Sequence, residues 1–339
     1  MKSGVRIAAA LAALLAALSP IGQAQLAGTL IVTNKSPSTA TIIDIGGNRI
    51  LATLPTGPGP HEVALSRVGR IAVVTDYGGA PRRTLTVIDV PGLRVARTID
   101  LGIYTAPHGI GFLPGDSLVA VTSEATRNVV LVNVLVGEVR SAIPTDQAGS
   151  HMVAITADGG RAYTGNIGSN TVSELDLLQG GGRAIRRFEV PAQPEAINVT
   201  PDGKEVWVGS NATGVVSVVD PATGVVVPAA EGFGWPYRVL FSPDTRTVML
   251  PDLRREELRF LDRASKRELA RLTFPGGGPQ GVTTTEDGRY LFQSLSREGR
   301  IAIVETALRR VVGYLAAGET PDGVAYTSRV ISPRTPPAP

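Results

Sequence analysis

Three histidines are the only imidazoles in this 339-residue chain, and each begins an apolar run of similar type. His61 and His108 follow prolines, and His151 follows a serine. Imidazole ligates first-row metals and exchanges protons near neutral pH. Three histidines around an open coordination position are also typical of catalytic metal sites. The sequence therefore predicts a candidate metal shell of His61, His108 and His151, completed by Glu195 or water.

The histidine position recurs through the rest of the chain with other polar residues. Following it forward gives, each after a proline, Glu195, Tyr237, Gln280 and Asp322. Successive copies are 42 to 47 residues apart. Repeats of this length that contain several short β-type runs are typical of β-propellers. Seven copies predict seven blades.

One repeat, Pro194 to Trp235, shows the organisation of a blade. Four short apolar runs are separated by turn residues, among them Asp202-Gly203, which suits a tight hairpin. Helical periodicity is absent after the N-terminal segment, and the inner runs are apolar on both faces. The pattern predicts an all-β fold of four-stranded antiparallel blades that are packed on both sides.

The two ends of the repeat region complement each other. Residues 29–34, 41–44 and 49–53 resemble the second, third and fourth strands of a blade, whereas residues 322–327 resemble a first strand. A blade built from both termini would close the ring and remove its open edges. We therefore expect one domain, a single seven-bladed β-propeller over residues 25–330, and a Pro-rich disordered tail over residues 331–339.

The N-terminus has the parts of a secretory signal peptide. Lys2 and Arg6 precede a twelve-residue apolar run and the small-residue site Gly22-Gln23-Ala24, which predicts a signal over residues 1–24. The run is too short to span a bilayer comfortably. We expect a periplasmic or secreted protein with no transmembrane segment after cleavage.

Composition excludes several classes of function. Without Lys2 and Arg6 the chain is nearly neutral, and its basic residues do not cluster, so we expect no nucleic-acid partner. The chain has no cysteine, which excludes a covalent c-type haem, a thiolate metal site and a disulfide. A closed ring of this size can be stable through packing between blades, so we expect a monomer.

Repeated strand motifs resemble the YVTN β-propeller repeat family. The similarity spans about Gly28 to Arg329. It rests on the segments Leu30–Asn34, Ala72–Asp76, Val119–Ser123 and Ala162–Asn166, and on the turn ending at Lys204. The resemblance implies a seven-bladed propeller, usually exported or surface-associated. Its superfamily includes lactonase-like enzymes and haem d1 propellers, so it is specific for fold and weak for function.

In such a propeller the seven repeat positions form a ring at one mouth of the central channel. We interpret the protein as an exported scaffold that uses this mouth to bind a small ligand, a metal or an envelope protein. The candidate ligand-binding residues are His61, His108, His151, Glu195, Tyr237, Arg238, Gln280 and Asp322. Glu62 and Glu124 are candidates to accept a hydrogen bond from the histidine ring nitrogen that does not bind the metal.

Three alternatives remain at this stage. A haem d1-type tetrapyrrole would use His108 and His151, with Arg238 as an anion partner, as the resemblance implies. A lactonase-like hydrolase would use Glu195, Asp322 or a histidine as general base, with Arg238 polarising a carbonyl. The ring could also be solvated channel lining, with histidines bonded to backbone carbonyls. The acidic and amide residues after the second strands, such as Asn34 and Asp76, are interpreted mainly as turn formers.

Overall fold

The computed structural model describes residues 26–80, 82–178 and 181–332. These residues form 28 strands in seven four-stranded antiparallel sheets, which confirms the predicted seven-bladed β-propeller. The described part of the chain contains no helix long and apolar enough to cross a membrane. The predicted signal peptide lies outside the described residues. Ile331, at the start of the predicted tail, is buried, and residues 333–339 also lie outside the described part.

The strands fall into six consecutive blades and one closing blade. Strands of the first three consecutive blades are β4 (Pro60–Leu65), β5 (Ile71–Asp76), β6 (Thr84–Asp89), β7 (Arg94–Asp100), β8 (Pro107–Phe112), β9 (Leu118–Ser123), β10 (Asn128–Asn133), β11 (Glu138–Pro144), β12 (Ser150–Ile155), β13 (Arg161–Asn166), β14 (Thr171–Asp176) and β15 (Arg183–Glu189). The next three blades contain β16 (Pro194–Val199), β17 (Val206–Ser210), β18 (Val215–Val219), β19 (Val226–Ala230), β20 (Leu240–Phe241), β21 (Thr247–Asp252), β22 (Glu257–Asp262), β23 (Glu268–Thr273), β24 (Pro279–Thr284), β25 (Tyr290–Leu295), β26 (Arg300–Glu305) and β27 (Arg310–Ala316).

The closing blade joins the two ends of the described chain. It consists of β28 (Pro321–Thr327), β1 (Thr29–Asn34), β2 (Thr39–Asp44) and β3 (Arg49–Pro55), in that order. Strand β28 pairs antiparallel with β1, with Thr29 opposite Thr327. The ring is therefore closed by hydrogen bonds between strands nearly 300 residues apart, as predicted from the incomplete repeats.

The core is divided among the seven interfaces between blades. Each interface contains one cluster of buried aliphatic and aromatic side chains. The middle strands carry these side chains on both faces; Trp207, for example, is fully buried between blades 4 and 5. Burial of this apolar surface drives folding and fixes each blade against its neighbours.

The innermost strands approach each other so closely that some positions require glycine. A Cβ on Gly281 would collide with the carbonyl of Asp322, and one on Gly323 with that of His61. Both glycines follow a ring position directly. The absence of a side chain therefore lets neighbouring inner strands pack around the channel axis.

Candidate functional site

A β-bulge sits at the ring position of the inner strands. In blade 1 the pairing jumps from Pro60 to Val63, so that His61 and Glu62 fall out of register, and the equivalent shift occurs in blades 2, 3, 4, 6 and the closing blade. A bulge bends the strand and turns the extra side chain away from the sheet. The repeat therefore places its variable polar residue at one channel mouth.

Blade 5 departs from this arrangement. Its inner strand β20 has only two residues, and Pro236 makes an isolated bridge to Asp252. The preceding Tyr237 and Arg238 are both buried within the ring. Two large side chains thus enter the channel from one blade, and the regular strand begins later than in its neighbours.

A second set of repeat-equivalent residues surrounds the ring. Each follows the last residue of a second strand; those at the mouth are Lys35, Tyr77, Glu124, Ile167, Asn211 and Leu253. Together with ring residues and Trp235 they line a depression of about 440 Å³. Sites for small ligands usually have a volume of about 300 to 1,000 Å³.

The structure brings the three histidines into one aromatic cluster. The His108 and His151 rings stack with centroids 3.6 Å apart, and His61 lies 5.1 Å from His108. Tyr77 contacts the His61 and His108 rings edge-on at 4.6 and 4.7 Å. Burial lowers the pKa of His61 to about 4, despite the opposing charge of Asp322, and lowers the pKa of His108 well below its ordinary value. Both rings are neutral at pH 7.

Hydrogen bonds assign the protons of two of these rings. His61 Nδ1 lies 2.9 Å from the Gly59 carbonyl oxygen, which can only accept, so Nδ1 carries the hydrogen and Nε2 is an acceptor. His151 Nδ1 lies 2.7 Å from Glu124 Oε2 and donates to it. The predicted hydrogen bond between a histidine and Glu124 is thus present at His151. Glu62 instead pairs with Arg238.

Glu124 joins two elements of the cluster. Its Oε2 also accepts the Tyr77 hydroxyl at 3.0 Å. Burial would raise the pKa of the Glu124 carboxyl, but the hydrogen bonds from His151 and Tyr77 outweigh burial and the pKa is lowered. The carboxylate therefore stays charged and orients His151.

Glu195 forms a polar corner beside His151. Its Oε2 accepts hydrogen bonds from Asn211 and from Trp235 Nε1, the latter at 2.9 Å. Its Oε1 is 3.8 Å from Arg238 Nη1 and 4.0 Å from His151 Nε2, beyond hydrogen-bonding distance. Oε1 of Glu195, a residue that is only 5 % exposed, thus faces Arg238 and His151 without a hydrogen bond to either.

The opposite side of the ring holds two buried ion pairs. Arg238 of blade 5 reaches across the channel to Glu62 of blade 1, and its Nη1 donates to the Tyr237 carbonyl at 2.6 Å. Lys35 pairs with Asp322 at 2.8 Å, and Asp322 also accepts the Tyr237 hydroxyl at 3.1 Å. These contacts join blade 1, blade 5 and the closing blade across the ring.

The two acids of these ion pairs respond differently to burial. Burial raises the pKa of Glu62 above its ordinary value, although the Arg238 charge opposes the rise. Burial also tends to raise the pKa of Asp322, but Lys35 and Arg238 outweigh it and the pKa is lowered. Asp322 is therefore held as a carboxylate by two cations, whereas at Glu62 burial outweighs the opposing charges of Arg238 and Lys35.

The geometry does not fit the predicted metal shell. Imidazole lone pairs lie in the ring plane, and the planes of His108 and His151 are tilted by only 26° at 3.6 Å separation. Such planes meet well beyond the ~2.0–2.1 Å of a metal–nitrogen bond. Within residues 26–80, 82–178 and 181–332, no group of three or more His, Asp or Glu side chains is arranged to hold a metal ion.

The residues also do not fit a tetrapyrrole held as predicted. The His108 and His151 rings cover each other's faces, and His151 Nδ1 is held by Glu124. Arg238, the expected partner for a cofactor carboxylate, is occupied by Glu62 and the Tyr237 carbonyl.

Several acidic and amide residues after the second strands are structural. Asn34 donates to Thr39 and Thr41, and its oxygen accepts the Gly318 amide. Asp76 occupies the equivalent position in blade 1 and accepts from threonines of β6. These fully buried side chains tie the second strand to the third, which goes beyond the turn-forming role expected from the sequence.

Sequence reasoning missed Lys35 and Tyr77. Both stand one residue beyond a second strand, the position that also supplies Glu124 and Asn211. The signal for Tyr77 was the longest repeat step, from His61 to His108, because the segment between β5 and β6 is extended. Aligning this second repeat position would have revealed both residues.

Comparisons with known proteins show the fold. No family model matches the chain, and no curated protein matches it. Hydrazine synthase of Kuenenia stuttgartiensis superposes with a TM-score of 0.73 and 19 % identity, covering 83 % of this chain and 93 % of that chain. A functionally unknown protein from Desulfotomaculum acetoxidans DSM 771 gives 0.73 and 18 %, covering 88 % and 98 %. The likeness to the YVTN family stays a resemblance. At these sequence identities the structural neighbours indicate the fold of this chain and not its activity.

Proposed function

We propose that the protein is a binding scaffold that holds a small polar molecule at the mouth lined by His61, His108 and His151. The observation that carries this proposal is the depression of about 440 Å³ together with buried polar atoms that lack partners. His108 Nδ1 and Gln280 Oε1 are buried without a hydrogen-bond partner, and both residues line the depression. Unsatisfied buried polar atoms are costly, and a ligand would offset part of that cost.

The ring also has the rigidity that a binding site needs. Its inner strands are held between blades, and ion pairs fix Arg238 and Lys35 at the ring. A site whose side chains are already ordered loses little entropy when it binds.

Filling the depression tests this function. Ile167 lines the depression, whereas Leu308 is exposed on the β26–β27 turn. A library of polar fragments is screened by ligand-observed NMR against the wild type, Ile167→Trp and Leu308→Trp. We expect hits whose binding is lost in Ile167→Trp and kept in Leu308→Trp. Hits that survive in Ile167→Trp, or a complete absence of hits, would overturn the proposal.

Export is part of the same proposal. The charged N-terminus, short apolar run and small-residue site of residues 1–24 support a signal peptide. In a bacterial host, we expect the protein in the periplasmic or culture fraction, cleaved after Ala24. Mass spectrometry of the purified chain measures the cleavage point. An uncleaved chain in the cytoplasm would contradict export.

The pair Glu124 and His151 favours a second candidate, a hydrolase. Glu124 holds His151 Nδ1–H, which leaves Nε2 to take a proton from water. The water oxygen would attack the carbonyl carbon of an ester or lactone, and the proton would pass to the leaving alkoxide. Turnover of simple esters and lactones, abolished by His151→Gln and reduced by Glu124→Gln, would support it. Absence of turnover by a protein that binds fragments would leave the scaffold function alone.

A further inference from the structure

The depression is surrounded by hydrogen-bond acceptors that have no donor. Asn211 donates to Glu195, which fixes its amide and leaves its Oδ1 buried without a partner. Gln280 Oε1 is in the same condition, in a residue only 8 % exposed. His61 Nε2 is an acceptor because Nδ1–H is donated to Gly59. Glu195 Oε1 has no hydrogen-bonding partner within 3.5 Å among the described residues.

Most of the donors at the mouth already have acceptors. The Tyr77 hydroxyl donates to Glu124, the Tyr237 hydroxyl to Asp322 and the Trp235 indole to Glu195. Lys35 and Arg238 bind Asp322 and Glu62, and in the guanidinium only Nε lacks a partner. The surplus of acceptors means that a ligand rich in donors satisfies more of this surface than one rich in acceptors.

The fixed charges favour the same kind of ligand. Six charged side chains lie at or below the mouth: the acids Glu62, Glu124, Glu195 and Asp322 and the bases Lys35 and Arg238. Two further arginines, Arg82 and Arg254, lie over aromatic rings at the rim and are exposed to solvent. Exposed charges are screened more strongly than buried ones. The interior of the mouth is therefore negative.

We propose that the ligand is a protonated amine, bound with its ammonium group at Glu195 Oε1. The inference rests on the proposed binding function and specifies its ligand class. An ammonium carries three N–H donors and no acceptor. It supplies the donors that this corner lacks and neutralises a carboxylate whose nearest cationic atom is 3.8 Å away. A carboxylate or phosphate ligand would instead meet Glu195 and the acceptor oxygens.

Three probes of similar size test the ligand class. Benzylammonium, benzyl alcohol and benzoate are titrated at pH 7 by isothermal calorimetry and ligand-observed NMR. Hydrogen bonds to a charged partner are worth more than neutral ones, so we expect benzylammonium to bind about tenfold tighter than benzyl alcohol. Benzoate should not bind in the same range. The same titrations are repeated with Ile167→Trp.

Variants locate the ammonium group. Glu195→Gln keeps the shape and can still accept from Asn211 and Trp235, and we expect it to weaken benzylammonium binding about tenfold. Gln280→Glu adds a carboxylate in place of an unpartnered amide oxygen and should tighten amine binding, a gain that loss of folding cannot imitate. Glu138→Gln, which changes an exposed acid of an outer strand, is the matched control and should change nothing.

The outcomes separate the two proposals. If benzyl alcohol or benzoate binds as tightly as benzylammonium, or if Glu195→Gln binds the amine as well as the wild type, the amine assignment fails. The binding function survives that result as long as Ile167→Trp abolishes fragment binding. If neither the probes nor the fragment library binds, both proposals fail.

Discussion

We expect the ion pair of Arg238 with the buried Glu62 to contribute strongly to the stability of the folded ring. The side chain of Arg238 is 9 % exposed and that of its partner Glu62 is 13 % exposed, and the pair joins blades 1 and 5 across the ring. Arg238→Met would leave Glu62 buried without its cation. Removing one partner of a buried ion pair costs about 3 to 5 kcal/mol. With an unfolding entropy of roughly 2.1 cal/mol/K per residue, that corresponds to a fall in Tm of roughly 5 to 8 °C for a domain of this size.

The pH dependence identifies the mechanism. Burial raises the pKa of Glu62 even beside Arg238, and removal of the guanidinium raises the pKa further. An acid whose pKa is higher in the folded than in the unfolded state destabilises the fold when it is charged, and protonation at lower pH relieves this. The loss caused by Arg238→Met should therefore be largest near pH 8 and should shrink towards pH 5.

Urea unfolding followed by tryptophan fluorescence at pH 8 and pH 5 measures these effects. Arg246→Met is the control, because Arg246 is 85 % exposed and its pair with Asp244 should contribute less than about 0.5 kcal/mol. Glu62→Gln in the Arg238→Met background removes the unpaired charge and should restore at least half of the loss. An Arg238→Met protein within 1 kcal/mol of wild type at pH 8, or a double variant less stable than the single one, would refute this reasoning.

Three further predictions concern single groups and the ring closure. Burial raises the pKa of Asp76 to about 6, so Asp76→Asn, which copies Asn34, should stabilise the protein by about 2 to 3 kcal/mol above pH 7 and by nothing below pH 4, as measured by urea unfolding. NMR titration should show His61 protonating near pH 4, whereas the ring in the unfolded chain takes up its proton near pH 6.5. The contribution of the neutral ring to stability is therefore lost as the pH falls from 6.5 to 4. A titration midpoint above about pH 6 would contradict the burial argument. A chain ending at Thr320 lacks β28 and exposes the edge of β1, and we expect it to aggregate or unfold on size-exclusion chromatography; a monomer with unchanged Tm would contradict closure by that strand.

The fold could be predicted because its determinants are local and repeated. Turn residues such as Asp202-Gly203 and apolar runs recur every 42 to 47 residues, so each blade specifies itself. The incomplete repeats at both ends predicted the closing blade, and β1 spans the residues expected, Thr29–Asn34. The inner strand of blade 5 was less regular than expected, because Tyr237 and Arg238 both turn into the channel.

Only part of the site could be predicted in the same way. The repeat placed His61, His108 and His151 at one mouth, and their rings do meet there. The orientation of the rings could not be predicted, because it depends on the bulge and on hydrogen bonds to Gly59 and Glu124. A shared repeat position fixes where a side chain starts but not whether its lone pairs converge.

The three imidazoles lie on adjacent blades beside the buried ion pairs of the ring. Blades 5 and 1 and the closing blade hold the ion pairs of Arg238 with Glu62 and Lys35 with Asp322, whose members are up to 287 residues apart. A buried position without such a partner holds a neutral polar group at lower cost than a charged one. Burial keeps His61 and His108 uncharged, and the His108 ring stacks on His151. The ion pairs thus join blade 5 and the closing blade to blade 1, and the imidazole cluster extends from blade 1 to blade 3, an arrangement that no single repeat encodes.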